Sequence, residues 1–351
     1  MPLLASWEPL RYYPVRATPR RIQLQTLSII VPAYNEQEVL PQFYGRLSAA
    51  LSSLPCGAEI LFVDDGSQDR TPEILKQLAS VDTRVRVLQF TRNFGHQAAL
   101  CAGLDHCAGD AAVLIDADLQ DPPELIGGFY AKWQEGYEVV FGRRRRLEEG
   151  LVKRVVYHVF YRILHTLANV DIPIDTGDFS LIDRRVVESL RALPERTRFL
   201  RGLRSWIGMR QTGIDYTRSA RRTGKSKYSL AKLFKLAFDG IVSFSAAPLK
   251  LALITGLLVS MGGFALILLL VYLRLTQSFD LPGWTSLMVV VLFLGGIQLT
   301  TIGIVGEYVA RIYEEVKARP LYLVARRIGF AGAEEDQAPH GARTPAAHFR
   351  P

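Results

Sequence analysis

The stretch Asp116-Ala117-Asp118-Leu119-Gln120 sets two carboxylates two residues apart, with an amide oxygen two residues further on. Such hard oxygen ligands suit Mg2+ or Mn2+, which bind carboxylates and bridge diphosphates. A cation there would serve as Lewis acid and template for a departing diphosphate. Alone, the pattern is as readily a solvated turn, so its weight comes from company. Val31-Pro32-Ala33-Tyr34-Asn35-Glu36 offers a flat aromatic surface, a hydroxyl and a carboxylate. Val63-Asp64-Asp65-Gly66-Ser67-Gln68-Asp69 adds carboxylates able to accept a nucleobase ring N–H. By itself Asp65-Gly66-Ser67 reads as an ordinary turn before a helix. All three segments follow apolar runs, and together they describe a cradle for a nucleoside diphosphate.

The elements that must position these residues follow from the same runs. Residues 27–31, 60–64, 85–90, 111–116 and 138–141 have the length and β-branched content of strands, and 180–182 and 213–216 suggest two more. Thr71-Pro72-Glu73 reads as a helix start with Thr71 as N-cap, and Asp121-Pro122-Pro123-Glu124 opens the next helix in the same way. A long helical stretch is expected over 152–170. Alternating strands and helices imply an α/β fold with a mostly parallel sheet covered on both faces. Ligands of such sheets sit at the carboxyl ends of the strands, which selects the loops after Val31, Asp64 and Asp116. Thr223-Gly224-Lys225-Ser226 lacks the leading glycine of a phosphate loop, since Ser219 stands there, and no GxGxxG follows the first strand. ATPase and dinucleotide-enzyme readings are therefore set aside.

The chain has 351 residues and a formal net charge of +8. Its mean hydropathy of +0.12 is high for a soluble protein, and two uncharged segments, 251–273 and 284–305, account for it. Each exceeds the roughly 20 residues that cross a bilayer core. Lys250 precedes the first, and Arg311, Lys317 and Arg319 follow the second, which places both flanks and both termini on the cytoplasmic side of a cell (inner) membrane. Basic runs such as Arg143-Arg144-Arg145-Arg146 suit nucleic acid, anionic lipid or phosphorylated ligands, and the spans turn that choice toward lipid and phosphate and away from nucleic acid. Cys56, Cys101 and Cys107 form no CxxC pair, so neither a disulfide framework nor a zinc site is expected. The boundaries drawn are a basic arm over 1–25, the sheet domain over 26–229 and an interfacial amphipathic helix over 230–248. A two-helix membrane hairpin over 249–310, a juxtamembrane segment over 311–328 and a disordered tail over 329–351 complete the chain.

The motifs VPAYNE, VDDGSQDRT, NFGHQAALCAGL, DADLQDPPE, TGDFSLIDR, FLRGL and RRTGKSKYS, followed by the paired spans, closely resemble glycosyltransferase family 2 enzymes of the GT-A fold. The resemblance is to the dolichol-phosphate mannose synthase and bactoprenol-phosphate glucosyltransferase branch, and it covers about residues 27–324. It implies that Pro32, Tyr34, Glu36, Val63 and Asp65 form the nucleoside pocket, and that Asp116, Ala117, Asp118 and Gln120 hold metal and diphosphate, with Asp116, Asp118 and Gln120 as the metal ligands. Arg144 matches an arginine that contacts phosphate, although the basic run leaves Arg143 and Arg145 as alternatives. Arg221 and Lys227 resemble a mobile loop closing over the donor and acceptor phosphates, and their fork and point charge suit that task. Asp178 matches an aspartate often called the catalytic base. A phosphate monoester acceptor has a second pKa near 6, so a base gains little at pH 7, and positioning is the better role for Asp178.

The implied reaction is inverting transfer of one sugar, as UDP-glucose, from a nucleotide-diphosphate donor to a polyprenyl phosphate lipid. A GDP-mannose donor is the alternative within the branch. A processive polysaccharide synthase would want a QxxRW motif, which is absent, and a non-catalytic membrane scaffold would not need Asp116, Asp118 and Gln120 intact. Glycines at 256, 262, 263, 295, 296, 303 and 306 permit close helix packing, which together with the resemblance admits a homo-oligomer.

Overall fold

The protein is described here by a computed structural model over residues 25–144, 176–193, 195, 200–217, 247–276, 283–330 and 340–341. Its first half alternates β1 (Thr26–Ala33), α1 (Leu40–Ser52), β2 (Gly57–Asp64), α2 (Thr71–Val81), β3 (Val85–Phe90), α3 (His96–His106) and β4 (Ala111–Leu114). A short 3-10 turn, Pro123–Leu125, leads into α4 (Ile126–Gln134) and β5 (Val139–Arg144). Then come β6 (Thr176–Asp183), α5 (Arg184–Ala192), α6 (Leu200–Trp206) and β7 (Gln211–Tyr216). The described strands form one sheet in the order β7-β5-β6-β4-β1-β2-β3-β8-β9, where β8 is Leu323–Ile328 and β9 is His340–Gly341.

β1, β2, β3 and β4 run parallel, with Ile29 opposite both Ile60 and Val113, so their carboxyl ends share one edge. Strand β1 is buried on both faces, as central parallel strands must be. Its side chains alternate accordingly: Ile29 and Val31 pack with Phe43, Phe62, Phe129 and Trp133 beneath α1, α2 and α4. Ile30 packs with Leu100, Leu104, Val187 and Leu203 beneath α3, α5 and α6. Helix α1 meets its side through Leu40, Phe43, Leu47 and Leu51, the spacing of one helical stripe.

The mostly parallel sheet agrees with the sequence reading, and the differences lie at element ends. Strand β4 stops at Leu114, although Ile115 still donates to the Ile30 carbonyl at 3.1 Å. Thr71 is the first helical residue of α2 rather than its cap, because its hydroxyl accepts from the Glu36 amide at 2.9 Å and ties the first two loops together. The stretch 152–170 and the arm 1–24 lie outside the described residues, as does the interfacial helix expected over 230–248 apart from its last two positions.

Helices α7 (Ala247–Thr276) and α8 (Trp284–Val316) are each long and apolar enough to cross a membrane. Leu257, Met261 and Phe264 on α7 and Leu292, Phe293 and Ile302 on α8 are exposed, unlike those of a core helix. The segment read as juxtamembrane divides. Helix α8 runs on to Val316, and Leu323–Ile328 returns to the sheet as β8, antiparallel to β3. Tyr322 anchors this return: it is buried, stacks on Phe90 with ring centroids 5.1 Å apart, and donates to Asp105 at 3.0 Å. Four apolar positions around two adjacent arginines carry no strand pattern by themselves; the free edge of β3 supplies the rest.

Candidate active site

At the carboxyl edge of β1, β2 and β4 lies a cleft of about 350 Å³. Of the residues expected to bind donor or metal, it brings together Pro32, Tyr34, Glu36, Asp65, Asp116, Ala117 and Asp118. Val63 is wholly buried in β2 beneath it, and Gln120 is also buried and outside the lining. Arg221 and Lys227 lie outside the described residues.

One end of the cleft is held by side chains bonding to backbone. Asn35 takes a left-handed conformation with φ of 55°. Its amide donates to the Ser67 hydroxyl at 3.0 Å, and its own side-chain oxygen accepts from the Gln68 amide at 2.8 Å. Gln37 and Asp69 lace the same two loops, with the Gln37 amide donating to Asp69 and the Arg70 amide donating to Gln37. Asp65 accepts from the Phe94 amide at 2.7 Å and the Gly95 amide at 2.9 Å, which binds a third loop to the second. Burial pushes the Asp65 carboxyl up, partly offset by those two amides. Gly66, at φ +70°, lies so close to the Arg92–Asn93 backbone that any Cβ would collide with it. Tyr34 projects from this frame, 42% exposed at the cleft mouth.

The other end concentrates acids. Leu119, left-handed at φ 58°, lets the Gln120 amide donate to Asp118 Oδ1 at 3.1 Å. Burial pushes the Asp116 carboxyl up to about 6; His96 pulls it down, while Asp178, Asp121 and Asp118 raise it further. His96 heads α3, with Nε2 at 3.5 Å from Asp116 Oδ1 and 3.6 Å from Asp178 Oδ2. Burial would lower the imidazole, but the Asp178 hydrogen bond and the Asp116 charge carry it above its ordinary value. Asp178, on β6, also faces Gln97 Nε2 and Arg201 Nη2, each at 3.4 Å. Its burial opposes ionisation, yet His96, Arg201 and Arg204 hold its carboxyl well below the usual carboxylate range.

Arg144 ends β5 and packs against Gly177, where a Cβ would strike its guanidinium. Its Nε donates to the Tyr216 hydroxyl at 3.2 Å, and its Nη2 stands 3.7 Å from Asp121. Tyr216 in turn donates to Asp121. Asp121 thus fixes Arg144 beside the acidic loop. Arg143, also on β5, pairs across the sheet with Asp215 of β7 at 3.6 Å.

Does this donor set fit a divalent ion? Among the described residues, no three acidic, imidazole or thiolate side chains converge to enclose one. Asp116 and Asp118 supply two hard oxygen ligands in an open cleft, amid an excess of negative charge that opposes ionisation of Asp116. That fits Mg2+ or Mn2+, which typically takes one or two carboxylates and completes its shell with substrate phosphates and water.

His96, Gln97, Asn93 and Gly95 were not assigned roles from sequence. The available signal was Asn93-Phe94-Gly95-His96 between the third strand and a helix, the position at which a parallel sheet presents ligand groups.

The Glycosyl transferase family 2 pattern matches residues 28–191. The chain is 48% identical over 303 residues to the uncharacterized glycosyltransferase YkcC of Bacillus subtilis (strain 168), covering 86% of this chain and 94% of that protein. It is 42% identical over 301 residues to the SfII prophage-derived bactoprenol glucosyl transferase of Shigella flexneri, covering 86% and 97%. Among solved structures, glucosyl-3-phosphoglycerate synthase from Mycobacterium tuberculosis, in complex with Mn2+, uridine-diphosphate-glucose and phosphoglyceric acid, is similar at a TM-score of 0.43 and 20% identity. That similarity covers 62% of this chain and 78% of that one, too distant for its ligands to be carried over.

Proposed function

The chain belongs to glycosyltransferase family 2, and from that premise we propose that it moves one glucose from UDP-glucose to a polyprenyl phosphate at a membrane surface, with inversion. The observation that carries this reading is a single cleft with an aromatic, backbone-braced mouth at one end and Asp116, Asp118 and His96 at the other. The Shigella flexneri relative, a bactoprenol glucosyl transferase, supports the lipid acceptor and the sugar.

In this reading Tyr34 and Asp65 receive the nucleoside, and the diphosphate lies toward Asp116 and Asp118. A phosphate oxygen of the lipid attacks the anomeric carbon from the face opposite the diphosphate. One carbon–oxygen bond forms as the bond to the diphosphate breaks, and the departing nucleoside diphosphate takes the electron pair. Asp116 and Asp118 would hold a divalent cation, whose charge offsets that building on the leaving group. Arg144, fixed by Asp121 and Tyr216, and the loop of Arg221 and Lys227 add positive charge around the phosphates. The acceptor phosphate is mostly dianionic at pH 7, so no proton need be removed for attack. Asp178 therefore orients the acceptor or a sugar hydroxyl.

Helices α7 and α8 carry the cleft to its lipid substrate as a membrane hairpin. The pairing of β8, which follows α8, with β3 of the sheet preceding α7 supports a chain that enters and leaves the bilayer on one side. Lys250, Arg311, Lys317 and Arg319 at the flanks support a cytoplasmic orientation of that side. The test is to screen nucleotide sugars with Mn2+ by thermal shift, then supply the stabilising donor, labelled in its sugar, with polyprenyl phosphate. Stabilisation by UDP-glucose and one labelled sugar per lipid are expected. Stabilisation by GDP-mannose alone would reassign the donor, and a labelled polymer would replace the reaction by processive synthesis.

A further inference from the structure

Helix α6 turns Leu200, Leu203 and Arg204 inward together, so an arginine occupies a core position of the helical stripe. Arg204 is 3% exposed, and its Nε and Nη2 meet no hydrogen-bond partner among the described residues. Its guanidinium lies over the Phe141 ring, 5.4 Å from the centroid, a contact that Leu or Met would make at less cost. Burial lowers this guanidinium to about 10, and the compensating attraction comes from Asp178, while Arg201 repels it. A buried cation without its full set of acceptors is destabilising, so its presence asks for a use elsewhere.

We propose that Arg204 is a positioning residue for sugar transfer: a fixed buried charge that acts through Asp178, holding that carboxylate as a rigid anion beside His96 and the cleft. The assignment rests on the transferase reading above. It divides the labour around Asp178. Gln97, His96 and Arg201 approach the carboxylate within hydrogen-bond or ion-pair reach and set its direction. Arg204 offers field from within the core, where little water screens it. The arrangement exchanges stability for a preorganised site.

Stability and activity then separate on substitution, which a merely structural arginine cannot imitate. The full-length protein in lipid is compared with Arg204→Met and Arg204→Lys for melting temperature, UDP-glucose binding, and kcat and KM of transfer. For Arg204→Met we expect a melting temperature equal to or above that of the wild type, unchanged UDP-glucose binding, and kcat lowered at least about tenfold. Arg204→Lys, which keeps the charge, should recover kcat to within about threefold of wild type. A melting temperature that falls with kcat in Arg204→Met, an Arg204→Met with wild-type kcat, or an Arg204→Lys as poor as Arg204→Met would each overturn the inference. Wild-type protein that binds UDP-glucose yet transfers nothing would sink the assigned reaction and this inference with it. Wild-type turnover matched by Arg204→Met would sink this inference alone.

Discussion

The two edges of the parallel sheet treat their acids in opposite ways. At the amino edge, Glu59 of β2 accepts from the Ser28 hydroxyl, from the Ala108 amide at 2.6 Å and from the Gly109 amide at 3.3 Å. Arg86 completes the set at 2.6 Å. At the carboxyl edge, Asp116 has His96 at 3.5 Å as its cation and three other carboxylates that raise its pKa. Glu59 stands on β2 and Asp116 just past the end of β4, with β1 between the two strands. One is finished by protein and the other is left for something that binds. Stability is concentrated at the amino edge, and the carboxyl edge gives it up for a site.

Asp118→Ala should lose transfer by at least about a hundredfold, because several kcal/mol of charge stabilisation depends on the bound cation, while the melting temperature stays near wild type. Turnover that persists in this variant with a chelator present would remove the metal from the account. Glu59→Ala should do the reverse. Stranding a hydroxyl, two amides and Arg86 costs about 3 kcal/mol of stability, read by denaturant unfolding, with kcat of the folded fraction unchanged. A stable Glu59→Ala protein with impaired kcat would erase the distinction between the edges.

Asp178→Asn comes next. If Asp178 positions rather than abstracts a proton, the loss of rate should stay nearly constant from about pH 6.5 to 9, since the acceptor is already dianionic across most of that window. A rate climbing about tenfold per pH unit would restore the base. The smallest effect is expected at Asp82, whose carboxyl is held at about 2, first by the Arg84 guanidinium and also by the Tyr44 hydroxyl. A depressed carboxylate stabilises the fold above its unfolded pKa of about 3.9 and loses that contribution as pH falls. The melting-temperature gap between wild type and Asp82→Asn should therefore close as pH drops from about 4 towards about 2, and a gap independent of pH would show that the ion pair contributes nothing.

The strands around the cleft were legible because buried parallel strands are short apolar runs ending in Gly, Pro or acids, as at Pro32, Asp65 and Asp116. Tyr34 and Asp118 could be named because residues at such ends have nowhere else to point. His96 escaped because a lone histidine at a helix start reads as nothing in particular. Its meaning needs Asp178, 82 positions later in sequence and brought beside it by the pairing of β4 with β6. Strand β8 escaped for a similar reason, since the adjacent Arg326 and Arg327 break the apolar pattern of Leu323–Ile328 and only β3 beside it reveals a strand. Nothing in the sequence sets Arg204 apart from the chain's other arginines, and only the packing of α6 shows that it is buried. Local pattern reveals elements, whereas partnerships across the chain have to be seen.

The central claim is that the carboxyl edge carries out one inverting displacement onto a lipid phosphate. The most direct measurement is NMR of the lipid product formed by full-length protein in lipid from UDP-α-glucose, Mn2+ and polyprenyl phosphate. The expected product is a single glucose on each lipid phosphate, with the opposite, β, anomeric configuration and one UDP released per lipid glycosylated. A product that retains the α configuration, or lipid that stays unglycosylated while UDP accumulates, would contradict it.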